Sequence, residues 1–210
     1  MDALKGGWDM VQAKDLLDKN FNYEMDLGGP IPGQVLDRGI ANGSSRVVTT
    51  HLRNDPAGQS LATWNFKYLI YRPGAITRTQ HTQPVLTGPM SGCLLATYTK
   101  NGQPMAAHIG TATSPIDPLT VQVKQAWTTY MGAGGVANVK VGNPFELFTD
   151  DDFAPHRTFS GIPMVFGYLT QGFCYALMIR VLRQGGVLSN RIEKVRGMNM
   201  RPWANHPDAW

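Results

Sequence analysis

Two side chains in this sequence combine types and spacing that can do covalent chemistry. They are Cys93, at the end of Thr87-Gly88-Pro89-Met90-Ser91-Gly92-Cys93, and His108, fifteen positions further on. A thiol beside an imidazole makes an activated nucleophile, because the ring takes the proton and leaves a thiolate. A β-hairpin would bring them together. Leu94-Leu95-Ala96-Thr97-Tyr98 is apolar and β-prone, Asn101-Gly102 suits the two φ > 0 positions of a type I′ turn, and Gln103 to Gly110 forms a second run. With a two-residue turn, Lys100 faces Gln103, Leu95 faces His108 and Cys93 faces Gly110. Cys93 and His108 are then diagonal neighbours on one face, roughly 7–8 Å apart at the backbone, a gap two side chains close. Gly92 is expected to give room for close approach. Backbone N–H groups at Ser91, Gly92 and Cys93 sit at a turn-to-strand junction, where they can hold a developing oxyanion.

The rest of the sequence supplies rivals and partners. Cys93 also reads as a small apolar residue opening a buried strand, and Cys174, between Phe173 and Tyr175, reads as core. His51, His81, His156 and His206 read as surface or satisfied histidines. His81 is the first rival base, since its segment runs into the Cys93 turn. No carboxylate lies between Asp55 and Asp117. Thr87, read as part of the turn, is therefore the local group that can accept Nδ1–H from His108, orienting the ring without stabilising imidazolium charge. The Gly132–Gly135 run lacks the ending of a phosphate loop and reads as linker. Asp150-Asp151-Asp152 lacks the spacing of a calcium loop and reads as a solvated turn. No metal or organic cofactor is expected.

Around the hairpin the chain is rich in turns and strands, with 23 Gly, 14 Pro and only 16% charged residues in 210. A short amphipathic helix is expected over Trp8–Lys19 and a loop over Leu27–Gly33. Strands are expected over Arg46–Leu52 and Trp64–Tyr71, with a turn at Asn54–Gly58 and an edge strand or ordered loop over Ile76–Val85. Asp117 and Pro118 start a helix that Gly132 ends, its apolar stripe being Leu119, Val123, Ala126, Trp127 and Tyr130. Short strands follow over Val136–Val141 and Pro144–Phe148. A meander then covers Ile162–Leu169, Phe173–Leu182 and Val187–Val195, with turns at Thr170–Gly172 and Gly185-Gly186. The expected fold class is α+β, a mostly β sandwich of mixed and antiparallel sheets with flanking helices. It forms one domain over 1–210: N-terminal helix and loop over 1–44, β core over 45–196, tail over 197–210.

A net charge of +4 is too small to argue for nucleic acid. The late basic group, Arg180, Arg183, Arg191, Lys194, Arg196 and Arg201, lacks the interleaved aromatics of a single-strand groove. It reads as a solvated strand face or a docking surface for an acidic protein. Two cysteines make no disulfide framework, and no apolar run has the length of a membrane span. The N-terminus has no apolar core of a signal peptide. A soluble protein in a reducing compartment is expected.

Thr87, Met90-Ser91-Gly92-Cys93 and His108 resemble the Thr … Leu-Ser-Gly-Cys … His pattern of the bacterial toxin glutamine deamidases. That family includes the catalytic domain of cytotoxic necrotizing factor and Burkholderia lethal factor, with the chemoreceptor deamidase CheD a more distant relative. The match covers Thr87 to Met131, with Met90 in place of leucine. The resemblance implies a β-sandwich with flanking helices. It also implies a protein-glutamine deamidase in which Cys93 attacks, His108 is the base and Thr87 orients it. The partner would be a target protein carrying a reactive glutamine, for example a host GTPase or translation factor. As a virulence effector, the protein would leave its cell by a dedicated or non-classical route and act in a reducing host cytosol. Another Cys–His enzyme (a cysteine protease or transglutaminase) and a non-catalytic β-sandwich binding module are the alternatives.

Overall fold

A computed structural model of the chain describes residues 8–11, 40–42, 45–53, 61–111, 114, 116–157, 161–184 and 187–203. The strands are β1 (Trp8–Val11), β2 (Ile40–Asn42), β3 (Ser45–Arg53), β4 (Leu61–Ile70), β5 (Ala75–Gln80), β6 (Val85–Met90) and β7 (Leu94–Lys100). They continue with β8 (Gln103–Gly110), β9 (Val136–Gly142), β10 (Gly161–Leu169), β11 (Cys174–Gln184), β12 (Val187–Gly197) and β13 (Arg201–Pro202). They form two sheets. The order β1-β12-β11-β10-β6-β4-β3 closes on itself as a barrel, and the second sheet runs β13-β9-β7-β8-β5-β2. Each is antiparallel except for one parallel pair, β4 with β6 and β2 with β5. Among the described residues the α-helices are α1 (Pro118–Met131) and the single turn α2 (Asp150–Phe153). The fold is α+β and mostly β, as expected, with one of its two sheets closed into a barrel.

Side-chain alternation along the strands sorts residues into four cores, one of them formed by Phe148, Phe153, Val165, Ala176 and Met178. Trp64, Phe66, Tyr68, Leu86, Phe166 and Leu177 fill the barrel. Leu69, Val85, Cys93, Leu95, Ala106 and Leu169 pack together between the sheets. On the outer face of the second sheet, Leu94, Ala96, Tyr98, Ala107 and Ile109 receive α1 through Val123, Trp127 and Tyr130. Slipping the β7–β8 register by one residue would exchange the two faces. Each large apolar side chain lost from a core forfeits about 1.5–3 kcal/mol, so the register is strongly specified. The turn agrees with it. Asn101 and Gly102 take φ of 51° and 78°, and the ladder pairs Lys100 with Gln103, Leu95 with His108 and Leu94 with Ile109.

Helix α1 begins as read, with Asp117 Oδ1 accepting the N–H of Leu119 at 2.8 Å and Pro118 in the first turn. Its buried stripe is Thr120, Val123, Trp127 and Tyr130. Leu119 is instead exposed and packs beside Gly74.

Other expectations change. Trp8–Val11 is a strand and not the start of a helix, because β12 and β3 each offer it an edge and together satisfy its backbone. Residues 12–19, Leu27–Gly33, Asn54–Gly58 and Gly185-Gly186 lie outside the described residues. Within Ile76–Val85, β5 is interior, flanked by β8 and β2, and Val85 already belongs to β6. Phe145–Leu147 is a 3₁₀ turn where a strand was expected. Asn143 Oδ1 accepts the N–H of Phe145 at 3.0 Å and bends the chain after Pro144. Arg201–Pro202, in the stretch read as tail, pairs with β9, and Trp203 meets Trp127 edge-on at 6.1 Å.

The acidic triplet is not a solvated turn throughout. Asp152 is buried: Oδ2 accepts the N–H of Thr149 at 2.8 Å, while Oδ1 meets Lys194 Nζ at 2.8 Å and Arg196 Nη2 at 2.7 Å. Glu193 takes Arg180 Nε at 2.5 Å and lies 3.5 Å from His156 Nδ1. Much of the late basic group is thus paired within the fold, which favours the strand-face reading over a docking surface.

Candidate active site

The hairpin puts His108 opposite Leu95 on the face turned toward the barrel, and Cys93 precedes β7 on that same face. The strand register expected from the turn chemistry is present from Leu94 opposite Ile109 to Lys100 opposite Gln103. Thr87 is elsewhere than read. It lies within β6, paired with Leu69 of β4 and Gly167 of β10, because the strand runs on to Met90 before the chain turns. Its side chain alternates with the barrel-filling Leu86 and so points out of the barrel toward the second sheet. There its Oγ1 lies 2.6 Å from His108 Nδ1 and donates to the Leu69 carbonyl at 2.8 Å. The site is assembled by stacking the two sheets.

That geometry determines the tautomer of His108. A hydroxyl has one proton, and the Leu69 carbonyl can only accept it. Thr87 Oγ1 must then be the acceptor toward the ring, so Nδ1 carries hydrogen and Nε2 presents its lone pair. Nε2 is buried without a hydrogen-bond partner. Burial lowers the ring's pKa to about 3, keeping it neutral. The Nε2 lone pair is unengaged.

Cys93 is held differently. Its side chain is only 1% exposed, and burial raises its pKa. Hydrogen bonds from Thr111 and from the backbone N–H groups of Ser91 and Gly92 pull the other way. Sγ points to the Thr111 carbonyl at 3.9 Å and accepts from Thr111 Oγ1 at 3.7 Å. Cys93 is thus a neutral thiol directed to Thr111, and His108 is a neutral imidazole directed to Thr87.

Two further residues, Tyr71 and Thr111, belong to the site and were not singled out in the sequence. The Tyr71 ring stacks on His108 with centroids 5.1 Å apart, and its hydroxyl donates to the Thr111 carbonyl at 3.0 Å. Burial, and then the charge of a Cys93 thiolate, raise its pKa to about 12. Tyr71 thus bridges the histidine and the threonine that holds the thiol. No local pattern marks it, because it reaches His108 from the end of the neighbouring sheet. Another hydroxyl there, Thr77 Oγ1, donates to the Ile70 carbonyl at 2.5 Å and ties β5 to the end of β4.

Ser91 and Gly92 lie exposed on the turn above the thiol. Gly92 is not conformationally required: a β-carbon there would meet only Thr111 Oγ1, at 3.5 Å. The steric demand falls on Gly88, where a β-carbon would lie 2.4 Å from the Phe166 ring, and on Gly110, where it would lie 2.1 Å from the Arg72 carbonyl oxygen.

The rival histidines are placed apart. His81 is buried at the other end of β5, and His156 is half-buried beside Glu193. His51 lies in β3, with its side chain outside the described residues, as is His206. Cys174 is half-buried at the start of β11, less enclosed than a core residue. Among the described residues, no three His, Cys, Asp or Glu side chains cluster as a metal site, and no helix is long and apolar enough to cross a membrane.

No family model matches the sequence, and no curated protein does. Among solved structures, the C-terminal domain of CNFy from Yersinia pseudotuberculosis is similar at 12% identity, over 74% of this chain and 72% of that one, with a TM-score of 0.33. A likeness of that degree carries nothing about activity. The chemistry has to be read from the residues.

Proposed function

We propose that the protein is a protein-glutamine deamidase whose nucleophile is Cys93, with His108 as base and Thr87 as the group that orients it. The observation that supports this best is the tautomer held by Thr87, which leaves Nε2 of His108 unprotonated and unpartnered on the face that carries Cys93. On substrate binding, the thiol rotates from Thr111 toward Nε2 and gives up its proton. Sγ attacks the γ-carboxamide carbon, and the carbonyl oxygen becomes an oxyanion facing the backbone N–H groups at Ser91, Gly92 and Cys93. Imidazolium returns the proton to the departing nitrogen and ammonia leaves. The low pKa of His108 makes it a weak base but a strong acid for this step. Water, deprotonated by the same nitrogen, then hydrolyses the thioester to glutamate and frees the thiol.

The substrate in this reading is a glutamine on a target protein, with action in a reducing host cytosol. A host GTPase or a translation factor fits the chemistry, since a new carboxylate changes such a site. Purified protein and purified Cys93→Ser are incubated with cytosolic extract, and released ammonia is measured. Release by the wild type alone supports the reading. Cleaved peptides would indicate a protease, and amine incorporation a transglutaminase.

One observation favours a second reading. Cys93 is 1% exposed, as expected of a strand residue in a non-catalytic binding module. In that case neither protein releases ammonia, and the thiol resists alkylation even with target present.

A further inference from the structure

The other cysteine and the other buried histidine line one cavity away from the proposed reaction. His81 and Cys174 line a cavity of about 500 Å³, where the β10–β11 turn overhangs Thr97 and Lys140. His108 pairs with Thr77, whereas the N–H of His81 donates to Pro104 at 2.8 Å. His81 is thus four residues along the strand from the His108 row, roughly 13 Å away at strand rise. The cavity opens at the opposite end of the seam between the sheets.

His81 is 7% exposed, and its Nε2 is buried with no hydrogen bond. Nε2 is therefore the ring nitrogen left to take a further partner. Three sulfur-bearing side chains line the same cavity. Leu169 pairs across the hairpin with Cys174, and the Cys174 carbonyl accepts the N–H of Met198 at 2.8 Å. Met198 and Met200 line the same cavity. A β-carbon built on Gly142 would meet Met200 Sδ at 3.0 Å and Met198 Sδ at 3.1 Å, so the two thioethers converge. None of the lining residues carries a carboxylate, which leaves a hard cation without the anionic oxygen it prefers.

We propose that His81 Nε2, Cys174 Sγ and the thioethers of Met198 and Met200 form a binding site for a soft monovalent cation, Cu(I). As the Cu(I)–thiolate bond forms, the metal displaces the Cys174 thiol proton to solvent.

The test uses the full chain carrying Cys93→Ser, which removes the other thiol and makes the result independent of the proposed reaction. The reduced protein is titrated with Cu(I) against a coloured Cu(I) chelator. It should take one equivalent, with nitrogen and sulfur neighbours in X-ray absorption. Cys174→Ser and Met200→Leu, each checked for an unchanged circular dichroism spectrum, should each weaken binding at least about tenfold. The proposal is overturned if the chelator keeps all the copper. It is equally overturned if folded Cys174→Ser and Met200→Leu bind as the parent does.

Discussion

Thr87 Oγ1 lies 2.6 Å from Nδ1 of His108 and 2.8 Å from the Leu69 carbonyl oxygen, so one hydroxyl of the barrel sets the tautomer of an imidazole in the other sheet. Thr87→Ser keeps both contacts. Thr87→Val keeps the shape but strands a buried N–H, which destabilises the protein by about 1–3 kcal/mol. ¹⁵N spectra should show His108 protonated at Nδ1 in the wild type and Thr87→Ser. Activity should fall about 100-fold or more in Thr87→Val. An Nε2-protonated ring in the wild type would contradict the arrangement.

The burial that raises the Cys93 thiol predicts slow alkylation at neutral pH. The rate with iodoacetamide, followed by mass spectrometry at Cys93, should climb only above about pH 9. A plateau reached near pH 7 would mean a preformed thiolate–imidazolium pair, which this geometry does not hold.

Acid stability follows from His108, with the sign set by linkage. Its folded pKa is about 3, below the ordinary value of 6.5. Between those values the unfolded chain binds a proton that the folded chain does not, so stability falls as pH drops through that window. One proton corresponds to a slope of about 1.4 kcal/mol per pH unit. Urea unfolding from about pH 6 to pH 4 should show a shallower slope in His108→Gln than in the wild type. Asp152 acts lower still. Its Lys194 hydrogen bond first, then the Thr149 N–H, hold it down to about 2. Its contribution is present above the ordinary carboxylate range and lost as pH falls toward 2.

Glycine substitutions should separate steric need from proximity. Gly110→Ala drives a β-carbon into the backbone of Arg72 and should destabilise by about 3 kcal/mol or more, whereas Gly92→Ala meets ordinary contact and should fold normally. Thermal melts of the two variants check this. Equal losses would contradict the packing described.

Tyr71→Phe removes the hydroxyl on Thr111 but keeps the ring on His108, and a loss of about 0.5–1.5 kcal/mol is expected from the missing bond. Tyr71→Ala should lose more and open the space over the histidine. Chemical denaturation of the two variants distinguishes the contributions.

The hairpin was legible in the sequence because its turn is local chemistry: Asn101 and Gly102 admit positive φ, and that fixes which residues face His108. The start of α1 was legible for the same reason, through Asp117 and Pro118. The placement of Thr87 was not. Its role as a hydrogen-bond acceptor could be inferred from the absence of a nearby carboxylate, but only sheet-on-sheet packing places it inside a strand of the other sheet. Tyr71 carried no local signal because it meets His108 through a tertiary contact alone, whereas Thr111 directly follows β8 and bears no residue type that marks it. Trp8–Val11 misled because a short amphipathic run has no fixed preference until neighbouring strands pair with it. Asp152 misled because Lys194 and Arg196, which justify its burial, come some forty residues later.

The central claim is that Cys93 deamidates a glutamine with His108 as its base. Cytosolic proteins exposed to wild type, Cys93→Ser and His108→Ala, then compared peptide by peptide by mass spectrometry, test it most directly. The account predicts amide-to-acid conversion at a single glutamine of one target with the wild type, and none above background with either variant. The same conversion by Cys93→Ser, or no conversion by the wild type in any extract, would contradict it.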